Sequence, residues 1–280
     1  MALFPPSSLR SENFVNFKLK EEGRSAMRKE NFMLVSRLTL LYSLLVPCIL
    51  FSSESQLPSL VASGAKLIKL AGGFSFTEGP TSDKEGNVFF TDQPNNRIMK
   101  WTAKGQLITF MQPSGRSNGL YFDPKGNLIA CADEKNQLWQ ISPNKKVKVL
   151  VDRYKGKLLN GPNDVWVRSD GTIYFTDPFY RRPYWRRGPM EQECEGVYML
   201  SSDKKLLIRI IDDLVEPNGI VGSADEKLLY VADIKAGKTY VYRIMADGSL
   251  KHKRLFCPMG SDGMTVDIHC LLYTSPSPRD

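Results

Sequence analysis

The chain has 280 residues, of which 42% are hydrophobic and 24% charged. It therefore has enough apolar side chains for a packed core, and it is too apolar for a disordered protein. The 38 basic residues exceed the 30 acidic ones by eight, but the excess is spread along the chain, which argues against a nucleic-acid-binding surface. Two histidines, His252 and His269, disfavour a histidine-rich zinc site and a Ser-His-Asp triad.

The N-terminal region is interpreted as a targeting segment rather than as part of the fold. Leu38–Phe51 is an apolar run that follows three basic residues and precedes two serines, the order found in secretory signal peptides. It is shorter than the ~20 residues of a membrane span. We therefore expect a signal peptide over residues 33–55, preceded by upstream sequence or a long n-region over residues 1–32. A buried helix is the alternative. The mature protein is expected to be secreted or periplasmic, with no stable membrane span.

The middle of the chain, residues 61–269, contains a repeat. Each unit opens with a polar residue and a short strand, turns through an Asp/Gly/Lys segment, and continues in a second strand such as NVFFT or TIYFT. Further strands follow, for example RIMKW with LITFM and QLWQI with VKVLV. Helix-period segments are missing between these strands, which excludes a TIM barrel or a Rossmann fold. The five opening residues, spaced 40 to 55 apart, are Glu78, Asn118, Asn163, Asn218 and Asp262.

Four strands in about 40–50 residues is the period of a β-propeller blade. The sequence thus predicts an all-β protein with four blades and the first strand of a fifth. The segment after His269 breaks the repeat. Its string CLLYTSPSPRD is also what one reading frame of a common transposase sequencing adapter encodes. Residues 270–280 are therefore interpreted as an artefact that replaces the end of a truncated gene, with a native polar tail as the alternative.

The repeat predicts a ring of oxygen ligands. The innermost strand of each blade lines the central channel, so the opening residue of each unit should point to one mouth of that channel. Two carboxylates and several amide oxygens are hard ligands, which suit Ca²⁺ or Mg²⁺. The alternative is that Asn-Gly and Asp-Gly only form turns before the strands.

Four segments, FTEGP, PNDV, PNGI and SDGMTVD, resemble in order and spacing the SMP-30/gluconolactonase family of six-bladed propellers. The resemblance covers residues 78–268 and implies six blades in the full-length protein. It also implies a metal-dependent hydrolase acting on a small-molecule sugar lactone. One divalent cation is implied, with Ca²⁺ favoured and Zn²⁺, Mg²⁺ or Mn²⁺ as alternatives. The metal ligands that it implies are Glu78, Asn163, Asn218 and Asp262.

The resemblance leaves the substrate contacts less defined. Asn118 is expected to border the substrate, because its counterpart in the family is not a ligand. Some members have a sugar-binding arginine two residues before the third-blade asparagine, where this chain has Gly161, and Asn160 is a candidate substitute. Asp164 is predicted either to orient an amide or a water molecule, or to cap backbone N–H groups.

The motifs contain no histidine, so the general base must be a carboxylate. Asp262 is the first candidate because the family credits this aspartate with both ligation and acid–base work, and Glu78 is the second. Two other functions stay open on the same fold. One is a calcium-dependent phosphotriesterase-type hydrolase, and the other is a non-catalytic ligand-binding propeller.

Two further features are expected on the same face. The loop of residues 178–195 carries four arginines and four aromatic residues. It is predicted to be a lid that contacts the substrate, or alternatively an exposed loop whose arginines pair with acidic residues. The aspartates that end the second strand of each unit are predicted to be structural and to bond a neighbouring blade's loop. They are Asp92, Asp133, Asp177 and Asp233.

Overall fold

The computed structural model of the chain describes residues 64–66, 68–267 and 270–275. The predicted signal peptide and the segment upstream of it lie outside the described residues. Residues 64–66 and 68–70 carry no helix or strand, and the unit that starts at Ala71 carries all of the described secondary structure. No described helix has the length and apolar character needed to cross a bilayer.

Four antiparallel sheets of four strands each, named here blades 1 to 4, follow one another along the chain. Blade 1 contains β1 (Thr77–Ser82), β2 (Val88–Asp92), β3 (Arg97–Trp101) and β4 (Leu107–Met111). Blade 2 contains β5 (Ser117–Phe122), β6 (Leu128–Ala132), β7 (Gln137–Ile141) and β8 (Val147–Val151). A hairpin of β9 (Arg153–Tyr154) and β10 (Lys157–Leu158) leads to the next blade.

Blade 3 contains β11 (Val165–Val167), β12 (Ile173–Asp177), β13 (Gly196–Leu200) and β14 (Leu207–Ile211). Blade 4 contains β15 (Pro217–Gly222), β16 (Leu228–Asp233), β17 (Lys238–Ile244) and β18 (Leu250–Cys257). Short 3-10 turns, Gln93–Asn95 and Asp133–Lys135, follow the second strands of blades 1 and 2. In each blade the spatial order of the strands is their order along the chain, as the repeat predicts.

The arrangement of the blades is that of a β-propeller. The first strands of successive blades contact each other, so β1, β5, β11 and β15 form the inner row. The apolar core lies between blades rather than within one. Phe89, Leu120 and Leu128 pack between blades 1 and 2, and Cys131, Phe175 and Tyr198 pack in the layer between blades 2 and 3. The predicted all-β propeller is confirmed, and the six-blade count for a full-length protein stays a prediction.

The fifth unit has one more strand than predicted. β19 (Gly263–Val266) pairs with β20 (Leu272–Ser275), a strand inside the segment interpreted as an artefact. The turn between them is held by Asp267, whose carboxylate accepts hydrogen bonds from the Leu271 N–H at 2.9 Å and the Tyr273 hydroxyl at 2.9 Å. The prediction of a lone opening strand was therefore wrong, because a β-rich run after a carboxylate turn is sufficient for pairing. The origin of residues 270–280 stays a prediction.

Candidate active site

The inner strands deform where the predicted ring residues lie. β1, β5 and β15 each contain a register shift just after their first residues, between Glu78 and Thr81, between Ser117 and Leu120, and between Pro217 and Ile220. A bulge bends a strand and changes the direction in which its side chains point. Three of the five opening residues, Glu78, Asn118 and Asn218, lie in these irregular stretches.

The glycines of the motifs are explained by close packing between blades. A Cβ on Gly119 would lie 2.6 Å from the carbonyl oxygen of Asn163 and 2.7 Å from the Cα of Asp164. A Cβ on Gly79 would lie 2.7 Å from the Cα of Gly119. The neighbouring backbone leaves no room for a side chain at these two positions. The glycines are therefore required by blade packing, and the simple turn-forming interpretation of Asn-Gly is wrong for Asn118-Gly119, which lies inside β5.

Contacts between neighbouring inner strands bring the opening residues into one arc. The Thr91 hydroxyl donates to the carbonyl oxygens of both Glu78 and Asn118, at 3.1 Å each. The Gly119 N–H donates to the Asn163 carbonyl oxygen at 2.7 Å, which joins blades 2 and 3. Each opening residue is thus placed by the strand beside it, as expected for residues at one mouth of a channel.

Blades 3 and 4 are joined differently, through a side chain. Asp164 stands where the other four motifs have glycine. Its Oδ2 accepts a hydrogen bond from the Ile220 N–H of blade 4 at 3.0 Å, and its Oδ1 accepts one from the Val165 N–H at 2.9 Å. Loss of water raises the pKa of Asp164 to about 7, although these two N–H groups act to lower it, and the nearby Asp262 raises it further. Asp164 therefore caps backbone N–H groups, one of its two predicted roles.

Side chains of blade 4 and of the fifth unit meet at Asn218. Its Nδ2 donates to Asp262 Oδ1 at 2.8 Å and to the Tyr180 hydroxyl oxygen at 2.9 Å. Asn218 is 2% exposed, and its Oδ1 is buried without a hydrogen-bond partner. A buried carbonyl oxygen is normally satisfied, so Asn218 presents an acceptor that is available to a cation or a donor. Tyr180 was not singled out in the sequence, because only its loop and not its contact with Asn218 could be predicted.

Asp164 was one of three predicted substrate residues, and the other two, Asn118 and Asn160, are both buried and are used differently. Asn118 is 4% exposed and lies in the inner strand β5. Asn160 is fully buried, and its Nδ2 donates to the carbonyl oxygens of Asp177 and Cys194 at 3.1 Å each. These contacts occupy both amide hydrogens of Asn160, while its Oδ1 is buried without a hydrogen-bond partner. Its role as a substitute for the family's arginine stays a prediction.

The loop of residues 178–195 lies on the same face, as predicted. At one end Tyr180 contacts Asn218 of blade 4. In its middle Arg182 forms an ion pair with Asp133 of blade 2, with 2.9 Å between Nε and Oδ2. Arg187 donates from Nη1 to the carbonyl oxygens of Leu159 at 2.6 Å and Asn160 at 3.0 Å. Arg182 thus fits the interpretation in which loop arginines pair with acidic residues, and the loop crosses blade 3 from blade 2 to blade 4.

The residues that close the second strands are structural in three blades. Each accepts two backbone N–H bonds from the segment that leads into its own blade, which corrects the expectation that they bond a neighbouring blade's loop. The antiparallel pairing explains this, because the end of the second strand lies beside the start of the first. The pairs of donors are Ser75 and Phe76 for Asp92, Asn160 and Gly161 for Asp177, and Val215 and Glu216 for Asp233.

The described residues contain no cluster of three or more His, Cys, Asp or Glu side chains arranged to hold a metal ion. The predicted ligand set has only two carboxylates and takes its other oxygens from amides, so it depends on Asn163 and Asn218. The unpartnered Oδ1 of Asn218 beside Asp262 fits this donor set. Carboxylate and amide oxygens are the ligands that Ca²⁺ prefers.

Comparison with known proteins gives a consistent result. A family model described as the SMP-30/Gluconolactonase/LRE-like region matches residues 76–275. A gluconolactonase of Zymomonas mobilis is 32% identical over 197 residues, which are 64% of this chain and 55% of that protein. The chain thus spans about half the length of this curated relative.

Solved structures agree with the fold. A gluconolactonase of Xanthomonas campestris is 29% identical, with a TM-score of 0.68 over 73% of this chain and 71% of that one. Regucalcin of Agrobacterium tumefaciens, described as a calcium-binding protein, has a TM-score of 0.59 at 16% identity, over 73% of this chain and 69% of that one. At that identity, the likeness to regucalcin concerns the fold alone.

Proposed function

The chain belongs to the SMP-30/gluconolactonase/LRE-like family, and from this membership we propose that it is a hydrolase that opens sugar lactones. The observation that carries the proposal is the contact between Asn218 Nδ2 and Asp262 Oδ1 at 2.8 Å. It joins two motif side chains from separate blades at the mouth of the channel. The similarity to gluconolactonases of Zymomonas mobilis and Xanthomonas campestris supports the choice of a lactone as substrate.

We propose that Glu78, Asn163, Asn218 and Asp262 hold one divalent cation, with Ca²⁺ as the preferred ion. The support is the chemistry of the donor set, together with the buried and unpartnered Oδ1 of Asn218. When bound, such a cation polarises the lactone carbonyl and stabilises the negative charge that develops on its oxygen.

The chain's own residues supply the remaining steps. Asp262 accepts a proton from the attacking water on its carboxylate and returns it to the ring oxygen as the bond between that oxygen and the carbonyl carbon breaks; Glu78 is the second candidate for this role. The amide of Asn218 fixes the orientation of Asp262 by donating to its Oδ1. The hydroxyl of Tyr180 holds the same amide from the loop side. Asp164 keeps blade 4 in place through the Ile220 N–H. Asn118 and Asn160 are proposed to border the substrate.

Hydrolysis of glucono-δ-lactone, followed by acid release at constant pH, tests the proposal. We expect turnover that a chelator lowers at least about tenfold and that added Ca²⁺ restores. An aryl phosphotriester, assayed in parallel, should be the poorer substrate. Faster turnover of the phosphotriester would contradict the lactone assignment, and full activity in the chelator would contradict the metal.

The base assignment has its own test. Asp262→Asn should lower kcat/KM by about 100-fold or more, because removal of a general base typically costs that much. Binding of Ca²⁺ alone, read as a shift in melting temperature, shows whether the variant still takes the ion. If lactone hydrolysis stays within about threefold while Ca²⁺ still binds, the assignment of Asp262 as the base is wrong.

We also propose that the mature protein is exported, on the strength of the apolar run Leu38–Phe51 after basic residues. The expected result is a processed N-terminus near residue 55 when the protein is recovered outside the cytoplasm and sequenced from its N-terminus. A protein that keeps residues 33–55 would contradict export by this signal.

A further inference from the structure

Asp133 departs from the pattern of the other closing aspartates. In blades 1, 3 and 4 the closing carboxylate accepts two N–H bonds from the segment that enters its own blade. In blade 2 that work is done by Asn96, whose Oδ1 accepts hydrogen bonds from the Ser114 N–H at 2.9 Å and the Arg116 N–H at 2.8 Å. The carboxylate of Asp133 is therefore not used to hold its own blade's entry segment.

Asp133 instead binds the loop that crosses the mouth. Its Oδ2 accepts hydrogen bonds from Arg182 Nε at 2.9 Å and from the Tyr184 hydroxyl at 2.6 Å. Its backbone carbonyl oxygen accepts one from Trp185 Nε1 at 2.8 Å. Gln93 Nε2 adds a longer bond to Oδ2 at 3.3 Å. Three of the four donors thus come from a stretch of four consecutive loop residues.

Burial makes this contact costly to break. The side chains of Asp133 and Arg182 are only 4% and 11% exposed, so water screens the ion pair little. Charge-assisted hydrogen bonds in such a position are short and directional. Removing one partner would leave the other charge buried without compensation. The guanidinium of Arg116 also lies over the Tyr184 ring, 4.5 Å from its centroid, and supports the same residue from blade 2.

The bonded loop occupies space next to the predicted metal ligands. A Cβ on Gly161 would lie 3.0 Å from Cζ2 of Trp185 and 2.8 Å from Oδ1 of Asp133. The indole therefore fills the place where a side chain at position 161, two residues before Asn163, would begin. Beyond it, Tyr180 reaches Asn218. The loop thus lies along one side of the mouth of the channel, from blade 2 to blade 4.

We propose that Asp133 is a positioning residue that fixes residues 179–187, here called the latch segment, and thereby sets the size of the substrate pocket. With the latch segment held, Trp185 limits the space beside Asn163, so the site accepts compact polyhydroxylated lactone rings and excludes lactones with long alkyl chains. This preference for substrates rests on the proposed lactonase function. The attachment of the latch segment to Asp133 does not.

Limited digestion with trypsin tests the attachment without reference to activity. Arg181 and Arg186 lie in the latch segment and are exposed. Asp133→Asn should speed cleavage after these residues by about tenfold, the effect of losing about 1.4 kcal/mol of hydrogen bonding to a charged group. Arg182→Gln should have a similar effect, and the double variant should add little, because both changes remove the same contact.

Asp123→Asn is the matched control. Asp123 is a buried aspartate of the same blade, and its carboxylate accepts hydrogen bonds from the Lys125 and Asn127 N–H groups in the turn between β5 and β6. The Asp123→Asn substitution weakens this turn of blade 2 and changes no contact of the latch segment. Equal cleavage rates for Asp133→Asn and Asp123→Asn at the two loop sites would overturn the proposal. If Asp133→Asn does not fold, Tyr184→Phe replaces it in the comparison. This variant removes only the hydroxyl that donates to Asp133, so a smaller increase in the cleavage rate is expected.

The ratio of kcat/KM for glucono-δ-lactone to that for δ-decalactone tests the role in specificity. We expect Asp133→Asn to lower this ratio about tenfold, with the change mainly in KM, and Asp123→Asn to leave it unchanged. A faster cleavage with an unchanged ratio would overturn the specificity role. An inactive wild-type protein would count against the proposed function, while the cleavage rates would still decide whether Asp133 holds the latch segment.

Discussion

At the turn end of blade 1, Asp83 accepts hydrogen bonds from the Asn87 backbone N–H at 2.8 Å and from its side-chain Nδ2 at 2.7 Å. Burial acts to raise the pKa of Asp83, but these bonds, with Lys100, bring it below its usual value. At the mouth end, burial outweighs two backbone N–H bonds and raises the pKa of Asp177 to about 7. The same residue type is therefore a partly buried turn former with a lowered pKa at one end and a fully desolvated group with a raised pKa at the other.

The difference follows from what surrounds each carboxylate. Asp83 keeps some contact with water, so its local hydrogen-bond donors decide the direction of its pKa shift. At the mouth the loop of residues 178–195 and the neighbouring blades remove water, and the ionised form becomes costly. Asp92 is an exception at this end, because Asn95, Arg97 and two backbone N–H groups together overcome the effect of burial and lower its pKa. Clustered acids kept out of water are typical of a binding site.

The largest expected effect is a difference in activity between substitutions of two asparagines, Asn218 at the mouth of the channel and Asn127 at the turn end of blade 2. Asn218→Ala removes the donor to Asp262 and an oxygen from the proposed cation site, and we expect kcat/KM on glucono-δ-lactone to fall by about 100-fold or more. Asn127→Ala removes a hydrogen bond to Asp123 in a turn. It should lower the melting temperature by about 2–4 °C and leave kcat/KM within about twofold. Equal losses of activity would break the comparison between the two ends.

The next effect concerns stability and separates two glycines. Gly119→Ala places a methyl group against the backbone of Asn163 and Asp164. We expect it to lower the free energy of unfolding by about 3 kcal/mol. Gly126→Ala, at a turn with φ of +80° and open space around it, should cost about 1 kcal/mol through backbone strain alone. Denaturant unfolding measures both. If Gly119→Ala lowers the free energy of unfolding less than Gly126→Ala does, the inner strands of neighbouring blades can move apart to make room for the methyl group.

The smallest expected effect is a difference in the sign of the pH dependence of the free energy of unfolding. The folded state binds a proton at Asp177 up to about pH 7, whereas the ordinary pKa is 3.8. This carboxyl therefore makes the free energy of unfolding fall as pH rises from about 4 to 7. The pKa of Asp225 is lowered by the Ser223 hydroxyl. Its contribution is present above pH 3.8 and is lost as pH falls through the lowered pKa.

Unfolding measured from pH 3 to 8 distinguishes the two groups. The free energy of unfolding of the wild-type protein, taken relative to that of Asp177→Asn, should decrease as pH rises from about 4 to 7. The free energy of unfolding of the wild-type protein, taken relative to that of Asp225→Asn, should decrease only as pH falls below the ordinary pKa of 3.8. The same sign of slope for both pairs would contradict the assignment of Asp177 as a desolvated group.

Much of the fold could be predicted because the repeat is local. RIMKW, QLWQI and GVYML alternate or run apolar between turn residues, and they are β3, β7 and β13. The placement of the motif residues at one mouth followed from antiparallel pairing, in which first-strand starts meet second-strand ends. The sequence does not predict β20, because the repeat breaks after His269.

The site was only partly predictable. The sequence marked Asn218 and Asp262 as candidates, but not that one amide would donate to both Asp262 and Tyr180. It marked the loop of residues 178–195 but did not indicate that Asp133 differs from the other closing aspartates. That difference depends on Asn96, which lies 37 residues away and has taken over the N–H groups of the entry segment.

The sequence by itself determined the blade repeat, the residue types at the mouth and the need for glycine after most of them. These features are set by strand period, turn chemistry and spacing, which are local along the chain. Only the tertiary structure decided which side chains meet and which carboxylates lose water. Those outcomes depend on how neighbouring blades and one long loop pack together, and residues far apart in sequence share the same space there.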